Sequence, residues 1–202
     1  MQQADPQPDG SAQPGGQPAG RRRVGLLFAV AVAVFAADVV SKAIVVATLT
    51  PDRPVWLISS FLDLNLTRNS GAAFSFGTGM TIVFTAIAIG VIIFILRTSR
   101  RLRSLAWAVT LELLLGGAAG NLTDRLLRSP GVFRGEVVDW IQLPHWPVFN
   151  VADSCIVCGG FLAVLLAARG IRLDGTREVR ARSGEDAAAK PAGGPPAGDS
   201  RT

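Results

Sequence analysis

The sequence predicts an all-α integral membrane protein with four transmembrane helices, and three observations carry that expectation. Hydrophobic residues make up 49% of the 202-residue chain, while Asp, Glu, Lys and Arg make up only 17%. The apolar residues gather in four blocks, about 24–49, 78–96, 105–122 and 151–168. Each approaches the ~20 residues that a helix rising ~1.5 Å per residue needs to cross a ~30 Å hydrocarbon layer. The basic residues flank these blocks instead of forming a stripe interleaved with aromatics, so the net charge of +5 does not point to nucleic acid.

The first 20 residues are rich in Gln, Pro, Gly and Ala and hold too little apolar surface to offset the entropy of ordering, so a disordered tail is expected. Arg21, Arg22 and Arg23 then lead into the first block. A signal peptide shares that basic start and apolar core. This run is longer, contains Asp38 and Lys42, and lacks a clear small-residue cleavage site, so it reads as a span. The link after the second block, R-T-S-R-R-L-R, carries Arg97, Arg100, Arg101 and Arg103, and Arg169, Arg172, Arg177, Arg180 and Arg182 follow the fourth. With Arg21–Arg23 these clusters fall on one side of a four-span topology, which the positive-inside rule makes cytoplasmic. Both termini are then inside and the loops 50–76 and 123–150 outside. A four-helix membrane domain over 21–172 and a second disordered tail over 173–202 complete the expected organisation.

In F-L-D-L-N-L-T-R-N, Leu62, Leu64 and Leu66 alternate with Asp63, Asn65 and Thr67. That period of two predicts a strand with one face on the membrane surface or on a substrate. Trp140, Trp146 and Phe149 in the second outer loop suit the headgroup region.

Ionisable side chains within a span cost at least ~2.5 kcal/mol each, so each needs a reason. Asp38 and Lys42 sit four apart on one helical face and can form an ion pair that either locks the helices or supports an active site. Ser41 beside Lys42 points about 100° away from it, which makes a serine–lysine pair a weak signal. Gly116, Gly117 and Gly120 permit close helix approach. Asn121, Asp124 and Arg125 share a face beyond them; a simple helix-end pair of Asp124 with Arg125 is one reading, although the cluster of amide, acid and guanidinium is denser than packing alone requires. Asp139 lies in V-V-D-W, and Asp153 lies in F-N-V-A-D-S, one turn into the fourth span. Two carboxylates sharing a site divide into one acid and one base, a pairing that suits peptide hydrolysis. Asp153, near a helix N-terminus, is the ionised partner by choice, although the labels of a coupled pair are exchangeable.

Other chemistries find less support. His145 is the only histidine and stands without ligand spacing for zinc. Cys155 and Cys158 lack the βαβ setting of a redox motif and are expected to pack as small apolar residues, and two cysteines make no disulfide framework. Glu112, midway along the third span, has no evident role.

Five blocks in order, D-V-V-S-K (38–42), N-S-G-A-A-F (69–74), G-G-A-A-G-N-L-T-D-R (116–125), V-V-D-W (137–140) and F-N-V-A-D-S (149–154), resemble the bacterial lipoprotein signal peptidases, the type II signal peptidases. The resemblance covers about residues 24–169. It implies an integral-membrane aspartyl protease with a small extracytoplasmic β-sheet, the β-cradle, and a short element over the site. It implies Asp139 and Asp153 as the catalytic pair, with Asn69, Gly71, Asn121, Arg125 and Asn150 lining the site. Asp38, Lys42 and Asp124, with Gly120 and Ala152, stand as supporting or substrate-binding positions. The implied substrate is a diacylglyceryl-modified prolipoprotein cut before its lipidated cysteine within the lipid bilayer. Globomycin-type peptides are the implied inhibitors, no metal or cofactor is expected, and a monomer is expected. One departure is the segment between Asp124 and Asp139, lengthened by S-P-G-V-F-R-G around Pro130. The glycines at 71, 77 and 79 further suggest that the first outer loop closes over bound peptide. A proton-coupled transporter would spread polar groups through the membrane depth and a scaffold would use the acids only for pairing. The clustering at one face disfavours the transporter.

Overall fold

The computed structural model describes residues 19–51, 53–59, 61–71 and 79–177, with side chains in the first helix from Phe28 onward. The expected tails over 1–18 and 178–202 lie outside the described residues, as do Ala72, Ala73 and Phe74 of the second motif and Gly77 of the loop expected to close.

Four helices carry the fold: α1 Ala19–Thr48, α2 Gly79–Ser99, α3 Leu105–Leu127 and α4 Val151–Ala168. Each contains a window apolar and long enough to cross a membrane, with mean hydropathy 2.2, 2.4, 1.4 and 2.1 in chain order. Their outward faces carry exposed Val40, Ile87 and Phe161, as expected of helices solvated by lipid. The third helix runs about one turn past the expected end at 122, because Asp124 and Arg125 both turn inward from its last turns and are buried.

Helix α3 is central. Half of its spanning window is buried, against 17–22% for the other three. Its glycines explain the approach. A Cβ on Gly116 would fall 2.7 Å from the Ala31 carbonyl oxygen of α1, and one on Gly117 would fall 2.6 Å from the Ala152 carbonyl oxygen of α4. Neither backbone can retreat without opening the bundle.

At one end, Ser104 caps α3 by accepting from the Trp107 N–H. The N–H groups of Arg103 and Ser104 both donate to the Leu173 carbonyl at 3.0 Å, and Trp107 Nε1 donates to the Ile171 carbonyl at 2.7 Å. Leu173 packs on the core formed by Ala31, Ile95, Leu102, Ala108, Leu111 and Leu115. Residues 173–177, expected as the start of a tail, are therefore bonded into the helical body. Cys158 departs from the expected packing, since it is exposed on the outer face of α4 while Cys155 is half-buried.

At the other end β1 Val55–Ile58, β2 Leu62–Asn69 and β3 Val137–Gln142 form an antiparallel sheet in the order β1-β2-β3. The expected strand is β2. Its buried Leu66 meets Val45 of α1 and Val138 of β3, so the greasy surface beneath that residue is the protein itself, not membrane or substrate. Trp140 packs on the same cluster, whereas Trp146 and Phe133 of that loop are exposed.

Candidate active site

The sheet and the ends of α1, α3 and α4 bring the polar motifs together. Register sets Thr67 opposite Asp139 and Asn69 opposite Val137, so strand alternation places Asn69 and Asp139 on one sheet face. A short bridge between Ile141 and Phe149 then ties β3 to the residue before Asn150. The strand carrying one carboxylate and the helix carrying the other are thereby joined within a few residues.

Asn150 is the N-cap of α4 and is fully buried. Its Oδ1 accepts from the Asp153 N–H at 2.8 Å, and Asp153 Oδ2 accepts in return from the Asn150 N–H at 3.2 Å. This capping box satisfies donors that a helix start otherwise leaves open, and it fixes the Asp153 carboxylate near the positive end of the helix dipole. The Asn150 Nδ2 donates to Asp139 Oδ1 at 2.7 Å. One residue therefore holds both acids, Asp153 through its backbone N–H and Asp139 through its side-chain amide.

Asparagines complete the clamp. Asn69 Nδ2 donates to Asp139 Oδ2 at 2.9 Å, and its own Oδ1 accepts the Gly71 N–H at 2.8 Å. Gly71 has φ +89°, and a side chain there would meet the Phe84 ring at 2.9 Å. Asn121 Nδ2 donates to Asp153 Oδ1 at 2.8 Å.

Beneath this layer, Lys42 Nζ lies 2.7 Å from Asp38 Oδ2 and 2.9 Å from both Asp124 Oδ2 and Asn121 Oδ1. An ammonium has three N–H donors and no acceptor, so it compels Asn121 to present its oxygen downward and its NH2 to Asp153. Lys42 is a positioning residue acting through that amide. Asp38 Oδ1 also accepts the Ala152 N–H at 2.9 Å, tying α1 to the first turn of α4. Asp38 lies directly against Gly120, where a Cβ would occupy the carboxylate's space. The Asp38–Lys42 pair forms as expected, and its contacts tie α1 to α3 and α4 directly beneath the carboxylates.

The expected helix-end pair between Asp124 and Arg125 is not formed. Asp124 pairs with Lys42 and with Arg128, one turn onward, and accepts the Val138 N–H at 3.2 Å. Arg125 points to the other side, into the field of Asp139 and Asp153, with its guanidinium 5.5 Å above the Phe84 ring. Its Nη1 is buried and has no hydrogen-bond partner among the described residues. Adjacent helical residues diverge by about 100°, which is why one member of D-R faces Lys42 and the other the carboxylates.

Asp139 is 2% exposed. Its pKa is pushed up to about 6, first by burial, with the charge of Asp153 adding to the rise and the Asn69 and Asn150 donors opposing it. The buried strand residue is therefore suited to hold a proton beside a helix-capped carboxylate. A cavity of about 340 Å³ runs from Asn121, Arg125 and Asp153 between α2, α3 and α4, walled by apolar side chains such as Ile87, Val91 and Ile156. Among the described residues no group of three or more His, Cys, Asp or Glu side chains could hold a metal ion.

All ten supporting positions expected from the sequence lie in or against this cluster. Phe84 was not anticipated, because a phenylalanine in an apolar span carries no local signal. Arg128 had one, its spacing of four from Asp124.

Comparisons with known proteins identify the family. Residues 30–169 match the family model for signal peptidase (SPase) II. The chain is 52% identical to the lipoprotein signal peptidase of Rhodococcus jostii (strain RHA1) over 174 residues, 86% of this chain and 87% of the relative. It is 55% identical to that of Streptomyces coelicolor over 157 residues, 78% of this chain and 77% of the relative. A bacterial membrane enzyme solved at 1.9 Å by the in meso method superposes with TM-score 0.64 at 31% identity, covering 71% of this chain and 93% of its own. Identity at this level over most of both chains, with a family model that matches most of this one, places the protein in a family of membrane aspartic peptidases: the chain belongs to the signal peptidase II family.

Proposed function

We propose that this chain removes the signal peptides of diacylglyceryl-modified prolipoproteins, cutting immediately before the lipidated cysteine, with Asp139 and Asp153 as the catalytic pair. The observation that carries the assignment is the convergence of both carboxylates on one buried residue, Asn150, whose backbone N–H donates to Asp153 and whose side-chain amide donates to Asp139. In the proposed reaction Asp153 accepts a proton from water as its oxygen attacks the scissile carbonyl. Asp139 gives its proton to the carbonyl oxygen. As the tetrahedral intermediate collapses, Asp153 passes the proton it took from water to the leaving amine, and Asp139 recovers its own from the hydroxyl that becomes the new carbonyl. Asn69, Asn121 and Asn150 hold the two acids throughout, so little reorganisation is needed as charge moves. The free Nη1 of Arg125 is placed to take a substrate carbonyl.

The apolar cavity beside Asp153 suits a signal segment lying within the bilayer. A globomycin-type peptide would compete for the same space. One chain supplies every side chain named, so a monomer suffices. Arg97, Arg100 and Arg101 lie at the end of α2 remote from the sheet, and the positive-inside rule makes that end cytoplasmic. The carboxylates then face the outer side of a bacterial cell membrane, with both termini inside.

The test is cleavage of a diacylglyceryl-modified prolipoprotein by the purified full chain, compared with Asp139→Asn and Asp153→Asn at equal folded amounts. Removal of either acid is expected to lower kcat by at least about 10²-fold, as loss of a general acid or base does. Variants that cut at the wild-type rate would return the acids to a scaffolding role.

A further inference from the structure

A second cavity, of about 630 Å³, opens at the bundle end remote from the carboxylates, where α2 meets the segment following α4. Arg97, Thr98, Arg100 and Arg101 line it, with Phe94 and Leu173 as its apolar wall. No acidic residue lines it, and none of its three arginines makes an ion pair among the described residues. Arg97 sits in the last turn of α2. Arg100 and Arg101 lie in a turn closed by the Arg101 N–H on the Thr98 carbonyl at 3.0 Å. Leu173 is drawn in by the Arg103 and Ser104 N–H groups on its carbonyl. Backbone bonds therefore fix the positions from which three arginines line one concavity, a concentration of like charge that an anion relieves.

We propose that this cavity binds the phosphate headgroup of an anionic phospholipid of the cytoplasmic leaflet. Guanidinium forks match phosphate oxygens in pairs, and basic pockets beside spanning helices at the cytoplasmic surface recognise anionic lipid headgroups. The apolar wall selects a lipid over a free anion. Phe94 is 64% exposed and lies one turn below Arg97 on the side of the membrane interior, so a headgroup held by the arginines leaves its acyl chain against this ring. The leaflet rests on the orientation proposed above, whereas the lipid site itself does not depend on the peptidase reading.

The experiment equilibrates the full chain with equal amounts of phosphatidylglycerol and phosphatidylcholine in mixed micelles and counts retained lipids by native mass spectrometry. Wild type is expected to retain phosphatidylglycerol preferentially. The variant Arg97→Gln/Arg101→Gln is expected to lose about 25-fold in that preference, at roughly fivefold for each arginine near an anionic headgroup. Arg169→Gln/Arg177→Gln removes the same charge from the same end of the bundle but outside the cavity, and is expected to keep the wild-type preference. All four residues are exposed, so neither variant disturbs the core. Equal loss in both variants would reduce the effect to general surface charge and overturn the site. Equal retention of the two lipids by wild type, or release of phosphatidylglycerol by excess inorganic phosphate, would overturn it as well.

Discussion

Replacing Asp139 by asparagine separates what this residue contributes to the reaction from its effect on the fold. Asp139 is 2% exposed, and burial raises its carboxyl from 3.8 to about 6. A rise of about two units corresponds to ~3 kcal/mol. The native state holds the proton more tightly than the unfolded chain, so this stabilisation is complete below about pH 4 and lost as pH climbs through about 6. Above that the fold carries a charge that burial disfavours. Asparagine has no such charge, but it offers one acceptor where Asp139 offers two, so either Asn69 or Asn150 loses a partner at ~1 kcal/mol. Asp139→Asn is therefore expected to be ~2 kcal/mol more stable than wild type at pH 8, and within ~1 kcal/mol of it at pH 4. For a chain of this size that is roughly 4–8 °C in apparent Tm at pH 8. Tryptophan fluorescence in detergent micelles, followed on heating from pH 4 to pH 8, measures it alongside cleavage activity. A stability difference that stays constant across this range would refute the reasoning, because the charge of Asp139 would then be fully compensated in the folded state.

Lys42→Met leaves Asp38 and Asp124 buried without their shared cation and is expected to cost ~3–5 kcal/mol, seen as a collapse of the monodisperse fraction in size-exclusion chromatography. An unchanged elution profile would show that the acids find other partners. Glu112 is fully buried and neither carboxylate oxygen is hydrogen-bonded among the described residues, so Glu112→Leu is expected to raise stability by ~1–3 kcal/mol at unaltered cleavage activity. A fall in apparent Tm would reveal a partner for the acid. Asn69→Ala removes a donor that favours the Asp139 anion, which moves that group's titration further up. The alkaline limb of kcat/KM against pH is expected to shift to higher pH, and a limb that stays in place or moves down would contradict the role of Asn69.

Much of the architecture is legible without coordinates because the bilayer imposes a length and a polarity on anything that crosses it. Four apolar blocks therefore announce four helices, and an alternation such as that from Leu62 to Thr67 announces a strand. The charged residues in the blocks are equally visible, since each is costly in lipid. Local chemistry, however, misassigns partners. Asp124 and Arg125 are neighbours in sequence yet face opposite sides of α3, and only packing against α1 and α2 decides which side is which. Composition likewise made residues 173–177 look like a tail, because the bonds that hold Leu173 come from Arg103 and Ser104, some seventy positions earlier.

The chain alone settles that this is a four-span membrane protein with a polar cluster confined to one end, since lipid thickness and the cost of buried charge act on residue order directly. It also supplies the acids, the amides and the glycines. Tertiary structure alone decides their assignments. Lys42 orients Asn121 because Gly120 admits Asp38 beneath it, and Asn150 holds Asp139 and Asp153 together because a bridge from β3 delivers it to the start of α4. These are contacts between segments far apart in the chain, and no local pattern encodes the distance at which two such segments meet.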